Sequence, residues 1–218
     1  MRIRVKICGI TQPEWARVAA EAGADAVGLV FAESPRRVTP TEAAGIVDAL
    51  PPWVAPVGVF VDADPAVVRD VAAEVGLAVV QLHGDEPPEV LGQLGRLKVI
   101  KALGIASDDD LQAARQWHRQ AERLGRVPDA YLVDARVAGG PKGGTGRPAD
   151  WALAARMVQE GFGPLILAGG LGPGNVAEAV RVVRPWGVDG ASGTEAEPGR
   201  KDPDKIRAFI DAVRAAGV

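Results

Sequence analysis

Short, continuously apolar runs alternate along the chain with longer stretches in which apolar residues recur every three or four positions. The first pattern is that of a strand buried on both faces, and the second lays one apolar stripe along a helix. Arg4 to Cys8 reads as the first strand. Thr11-Gln12-Pro13-Glu14 then opens a helix, with Thr11 and Glu14 spaced as a capping box. The second unit repeats this order, with a strand from Ala26 to Phe31 followed by Thr39-Pro40-Thr41-Glu42. That segment supplies a cap, a proline at the first helical position and the reciprocal glutamate. Ala55 to Val61 is the third strand, and its helix starts at Asp64-Pro65 with Val67, Val68, Val71 and Val75 as its buried stripe. Further strands read at Val79 to Leu82, Lys98 to Ala102, Ala130 to Val133, Leu165 to Ala168 and Val188 to Gly190. Helical patterns follow each of them, the last beginning at Asp202-Pro203.

Eight strand-helix units in 218 residues predict an α/β fold, a single (β/α)8 TIM barrel occupying residues 1–218 as one catalytic domain. An open doubly wound sheet is the alternative, but it normally carries a Gly-rich phosphate turn after its first strand, and Cys8-Gly9-Ile10-Thr11 lacks that spacing. The net charge of −3, with the basic residues scattered, argues against a nucleic-acid partner. Apolar runs of about five residues fall far short of the ~20 that a membrane span needs. The segment Met1-Arg2-Ile3-Arg4-Val5-Lys6 has no secretory pattern, and Cys8 is the single cysteine, so a cytoplasmic location is expected.

In such a barrel the active site is built where strands end at their carboxyl side. Cys8 ends the first strand and can act as a base, or can be an inert buried thiol. Asp134 follows the sixth strand, where partial desolvation can hold a carboxyl protonated as a general acid requires; a solvated turn-capping aspartate is the other reading. Glycine clusters at Gly143 to Gly146, Gly169-Gly170 and Ser192-Gly193 suit phosphate, because glycine lets backbone N–H groups approach an anion. Arg36, in Ser34-Pro35-Arg36, can clamp a carboxylate through its planar fork of donors. His83 ends the fourth strand with no second ligand at metal spacing, so it is a substrate contact and no metal is expected. His118 lies in a charged helical stretch and reads as a surface residue.

The segments Lys6-Ile7-Cys8-Gly9-Ile10-Thr11, Ser34-Pro35-Arg36, Gln81-Leu82-His83-Gly84, Gly143 to Gly146 and Leu167 to Leu171 together resemble phosphoribosylanthranilate isomerase. Pro173-Gly174-Asn175-Val176, Val188-Asp189 and the tail from Ser192-Gly193-Thr194-Glu195 to Lys201-Asp202 extend the resemblance to essentially the whole chain. It implies a barrel without a cofactor that acts in tryptophan biosynthesis. The reaction implied is the Amadori rearrangement of N-(5-phosphoribosyl)anthranilate to 1-(2-carboxyphenylamino)-1-deoxyribulose 5-phosphate. By the same resemblance Asp134 is the acid that opens the furanose ring and Cys8 the base that removes the C2 proton. Arg36 holds the anthranilate carboxylate, Asp189 lies near the reacting centre, and Gly144, Gly146, Gly169, Gly170, Ser192 and Gly193 cradle the phosphate. The expected partner is a small phosphosugar; members of the family occur as monomers, dimers and fused bifunctional chains, so a homodimer is one assembly among those the resemblance leaves open.

Two positions depart from the family pattern: Gly190-Ala191-Ser192 stands where two consecutive serines are common, and Ala149 stands where an aromatic residue often precedes Asp150-Trp151. Two rivals remain. A catalytically inactive phosphosugar-binding barrel with a regulatory or scaffold role would keep the glycine loops but has no need of both Cys8 and Asp134. The sugar isomerase of histidine biosynthesis would carry an aspartate where Cys8 stands.

Overall fold

The computed structural model describes residues 2–134 and 151–216. The strands β1 (Arg4–Cys8), β2 (Ala26–Val30), β3 (Ala55–Phe60), β4 (Val79–Leu82), β5 (Lys98–Gly104), β6 (Ala130–Asp134), β7 (Leu165–Leu167) and β8 (Gly187–Gly190) pair in chain order, and β8 closes on β1. All eight pairings are parallel, which requires a crossover after each strand. The helices α1 (Pro13–Ala22), α2 (Pro40–Asp48), α3 (Pro65–Val75), α4 (Glu89–Gln93), α5 (Asp108–Arg123), α6 (Trp151–Gln159), α7 (Val176–Val183) and α8 (Pro203–Ala216) supply them. The expected eightfold barrel is the fold observed.

Alternation along the strands divides the apolar residues between two cores. Val57, Ile100, Ala102, Ala130, Leu132, Ile166 and Ala168 pack together inside the barrel. The intervening positions, such as Val5, Ile7, Val99 and Val133, join the buried helix faces in a larger outer core. Strands buried on both sides show no polar alternation, which is why they appear in the sequence as continuous apolar runs. The exceptions are informative: Lys6 pairs in register with Ala26 on one side and Asp189 on the other, and Cys8 pairs with Gly28.

Local signals fared unevenly. The capping box of α2 forms, with Thr39 Oγ1 accepting from the Glu42 amide and the Glu42 carboxylate accepting from the Thr39 amide. Asp64 caps α3 by accepting from the Ala66 amide. The box expected on α1 does not form. That helix begins at Pro13, so Gln12 takes the cap position and Thr11 stands one residue too early; its hydroxyl donates instead to the Gly199 carbonyl. The buried stripe of α3 is Val68, Ala72 and Val75, and Val67 is exposed. After β8 come a single 3-10 turn, Ser192–Thr194, and a short antiparallel hairpin, β9 (Glu195–Glu197) with β10 (Arg200–Lys201). No apolar alternation announces that hairpin, because its residues are mostly charged.

Candidate active site

The carboxyl ends of the strands surround a cavity of about 380 Å³, lined by Cys8, Arg36, His83, Asp134, Gly169, Gly170, Asp189 and Ser192 among others. Residues expected to act together, though drawn from distant parts of the chain, thus share one space.

Cys8 is buried at the end of β1. Gly28 makes room for its thiol: a Cβ there would lie 2.6 Å from Sγ. One alternation below Cys8, the buried Lys6 Nζ donates to Asp189 Oδ2 at 3.0 Å, and both side chains are almost fully excluded from solvent. Burial pushes the Cys8 thiol above its ordinary pKa; the Lys6 cation pulls it down, Asp189 pushes it up, and Lys201 pulls it down. Burial would depress Lys6, but Asp189 and Cys8 hold it above its ordinary value. The second oxygen of Asp189, Oδ1, is buried with no hydrogen-bond partner among the described residues.

Asp134 is the last residue of β6, and its Oδ2 lies 3.4 Å from His83 Nε2. The fully buried Gln81 reaches His83 Nδ1 at 2.7 Å through its amide nitrogen. The two groups lie within hydrogen-bond distance, with the donor and acceptor roles set by the imidazole tautomer. The loop carrying His83 is anchored from outside the barrel. There Glu86 accepts from the Gly84 and Asp62 amides, and the buried Lys101 donates to both Glu86 Oε2 and the Gly84 carbonyl.

Arg36 follows β2 and lines the cavity, but it is not a free fork. Its Nε and Nη2 donate to the two carboxylate oxygens of Glu195, each at 2.7 Å. These bonds hold the guanidinium pKa above its ordinary value. Glu195 Oε1 also accepts from Lys201 Nζ at 3.2 Å.

Gly169 and Gly170 have φ of +82° and +65°, so the turn after β7 exposes backbone in a conformation that side chains disfavour. Asn175 fastens that turn, accepting from the Gly172 amide and donating to the Gly170 carbonyl. Gly193 packs the next loop against it, since a Cβ there would lie 2.1 Å from the Leu171 carbonyl oxygen. Ser192 and Ala191 both line the cavity. Gly143 to Gly146, which include the expected phosphate residues Gly144 and Gly146, lie outside the described residues, as does Ala149.

The cavity therefore unites Cys8, Arg36, His83, Asp134, Gly169, Gly170, Asp189 and Ser192, while Gly193 supports its wall. Sequence reasoning missed the buried partners Lys6, Gln81, Glu195 and Lys201 as functional groups. A signal existed for the first two, since a charged or amide residue inside an otherwise apolar strand needs a partner. His118 is not simply at the surface: it is half-buried, and its Nδ1 lies 2.7 Å from the Tyr131 hydroxyl. Among the described residues no helix is long and apolar enough to cross a membrane.

The sequence profile of N-(5'phosphoribosyl)anthranilate (PRA) isomerase matches residues 5–212. The N-(5'-phosphoribosyl)anthranilate isomerase of Geobacter sulfurreducens is 50% identical over 209 residues, covering 95% of this chain and 97% of that one. A phosphoribosyl anthranilate isomerase solved in complex with reduced 1-(o-carboxyphenylamino)-1-deoxyribulose 5-phosphate is 41% identical, with a TM-score of 0.83 over 98% of this chain and 99% of that one. A structure of monomers derived from the dimeric isomerase of Thermotoga maritima is 40% identical, with the same TM-score of 0.83 and the same coverage of 98% and 99%. By profile, sequence and fold, the chain belongs to the phosphoribosylanthranilate isomerase family.

Proposed function

We propose that the chain, acting as one catalytic unit, converts N-(5-phosphoribosyl)anthranilate to 1-(2-carboxyphenylamino)-1-deoxyribulose 5-phosphate, with Asp134 as general acid and Cys8 as general base. The observation that carries this reading is the placement of a buried thiol and a carboxyl at the ends of β1 and β6 on one cavity, between an arginine and two glycine turns. The turns after β7 and β8 take the phosphate, and Arg36 takes the carboxylate. The sugar is thereby held between acid and base by groups that do not react.

Asp134 donates a proton to the furanose ring oxygen, and the ring opens to a Schiff base. His83 Nε2, 3.4 Å from Asp134 Oδ2, helps to keep the carboxyl oriented. Cys8 then removes the C2 proton. It acts as the thiolate and becomes the thiol as it takes that proton; burial pushes its pKa up, which makes the thiolate a stronger base than one in water, and the Lys6 cation beneath it stabilises the charge. The enolamine tautomerises to the ketone. Asp189 Oδ1, buried and without a partner among the described residues, accepts from a substrate hydroxyl.

The test is conversion of freshly generated N-(5-phosphoribosyl)anthranilate, followed as loss of anthranilate fluorescence, beside the aminoaldose of histidine biosynthesis. Rapid conversion of the first alone is expected. Equal activity on both would overturn the specificity, and binding without conversion would make the inactive barrel the better account.

The reading extends to a cytoplasmic enzyme that assembles as a homodimer. The Thermotoga maritima relative is dimeric. In this chain Trp53, 91% exposed, lies beside a largely apolar cavity of about 590 Å³ at the opposite end of the barrel from the active site, with Trp186 in its wall. A second copy is the occupant such a surface fits, because the indole of one chain matches the apolar hollow of the other.

A further inference from the structure

We propose that Glu195 is the positioning residue for the substrate's carboxylate: it grips one edge of the Arg36 guanidinium and so presents the other edge to the cavity, while Lys201 keeps that arginine's charge from being cancelled. The proposal rests on the reading of Arg36 as the carboxylate clamp.

A guanidinium carries five N–H donors in a rigid plane. Glu195 uses one on Nε and one on Nη2, both at 2.7 Å. Of the three that remain, one on Nη1 and one on Nη2 form the second edge, on which a carboxylate can bind through two parallel hydrogen bonds. The aliphatic stem has a single seat. Gly9, at φ +80°, lies so close that a Cβ would come within 2.5 Å of Arg36 Cδ. Gly199, at φ +82°, packs the hairpin as closely on the Pro35 carbonyl oxygen. An arginine fixed before its ligand arrives loses little rotamer freedom on binding.

Charge is the second half of the argument. An arginine paired with one glutamate is neutral and attracts an anion poorly. Here Glu195 is shared, because Lys201 Nζ donates to its Oε1 at 3.2 Å from a fully buried position. The other two acceptors of Lys201, the Ala191 carbonyl and Thr194 Oγ1, are neutral. Burial lowers the Lys201 pKa against the opposing pull of Glu195; with that amine protonated, Arg36, Glu195 and Lys201 together carry one net positive charge, enough for one carboxylate. The hairpin supplies both inner members in register, since Glu195 of β9 pairs with Lys201 of β10. These charged, poorly alternating strands have a purpose under this proposal: they bring a buried anion and a buried cation behind Arg36.

The experiment compares the affinities of two ligands by titration calorimetry: reduced 1-(o-carboxyphenylamino)-1-deoxyribulose 5-phosphate and the same molecule lacking the carboxylate. The proteins are the native chain, Arg36→Met, Glu195→Gln and the double variant Glu195→Gln with Lys201→Met, with KM and kcat measured for each. The native chain is expected to prefer the carboxylated ligand and Arg36→Met to lose that preference. Although Glu195→Gln leaves the cluster with one more positive charge, loss of the fixed guanidinium orientation is expected to lower the preference by about tenfold or more and to raise KM in proportion, with a much smaller fall in kcat. Affinity for the carboxylate-free ligand should be unchanged. The double variant removes both buried charges, so it should recover folding stability while the preference stays low; it also serves if the single variant folds poorly.

Preference retained in both Glu195 variants but lost in Arg36→Met would overturn the proposal and leave the clamp standing. Preference retained in Arg36→Met would remove the clamp and the proposal with it. Equal loss for both ligands in the folded Glu195 variants would mark Glu195 as structural only and also overturn the proposal.

Discussion

Replacing Lys6 with methionine removes the cation beneath Cys8 and leaves its partner behind. Lys6 and Asp189 are 3.0 Å apart with side-chain exposures of 4% and 6%, so water does not screen the loss. Asp189 already has one oxygen without a partner among the described residues, and the substitution strands the second. Breaking a buried pair from one side costs about 3–5 kcal/mol. For a chain of this length each kcal/mol lowers Tm by about 2–4 °C, so Lys6→Met should melt about 6–20 °C below the native protein. Because the Lys6 pKa is raised in the fold, its stabilising contribution is complete below the ordinary lysine range and is lost only as pH rises through the raised value. The Tm gap should therefore persist across neutral pH and narrow only in strong alkali. The thiol gives a second readout, since Lys6 pulls the Cys8 pKa down and Asp189 pushes it up. The pH dependence of Cys8 alkylation by iodoacetamide should move to higher pH in Lys6→Met and to lower pH in Asp189→Asn. The double variant should recover much of the Tm. A Lys6→Met protein melting within about 1 °C of native, or thiol titrations moving the same way in both single variants, would refute the reasoning.

Gly28→Ala should lower kcat by about a hundredfold with a modest change in Tm, because the added Cβ, 2.6 Å from Sγ, forces the Cys8 thiol to a new rotamer. Steady-state kinetics beside a melting curve checks this. If the turns after β7 and β8 take the phosphate as proposed, Gly193→Ala should raise KM and weaken competitive inhibition by inorganic phosphate, since its Cβ would meet the Leu171 carbonyl at 2.1 Å and push those turns apart. Trp53→Ser should shift the sedimentation coefficient from dimer to monomer while the fold, read by circular dichroism, stays intact. A native protein that sediments as a monomer would contradict the assembly.

The barrel was legible because its signals are local and repeated: apolar runs, caps at Thr39 and Asp64, and prolines at helix starts all report burial or backbone geometry within a few residues. Strand ends were legible for the same reason, and they placed Cys8 and Asp134 on one cavity. The fold also made sense of Gly28 and Gly193, whose need for a missing Cβ arises from Cys8 and Leu171, residues on other segments. Pairings such as Lys6 with Asp189 and Arg36 with Glu195 span 183 and 159 positions, and neither local propensity nor spacing encodes them. Thr11 shows the opposite failure. A correct capping pattern was present, but Pro13 fixed the helix start one residue later, and the hydroxyl went to Gly199 instead.

The central claim is that Cys8 and Asp134 perform the two proton transfers, and single-turnover conversion of N-(5-phosphoribosyl)anthranilate by the native chain, Cys8→Ser and Asp134→Asn tests it most directly. Each proton transfer by a positioned group is worth about 10² to 10⁴ in rate. The account predicts a loss of that size in each variant, with native Tm and native affinity for reduced 1-(o-carboxyphenylamino)-1-deoxyribulose 5-phosphate. Near-native turnover in either folded variant would contradict it.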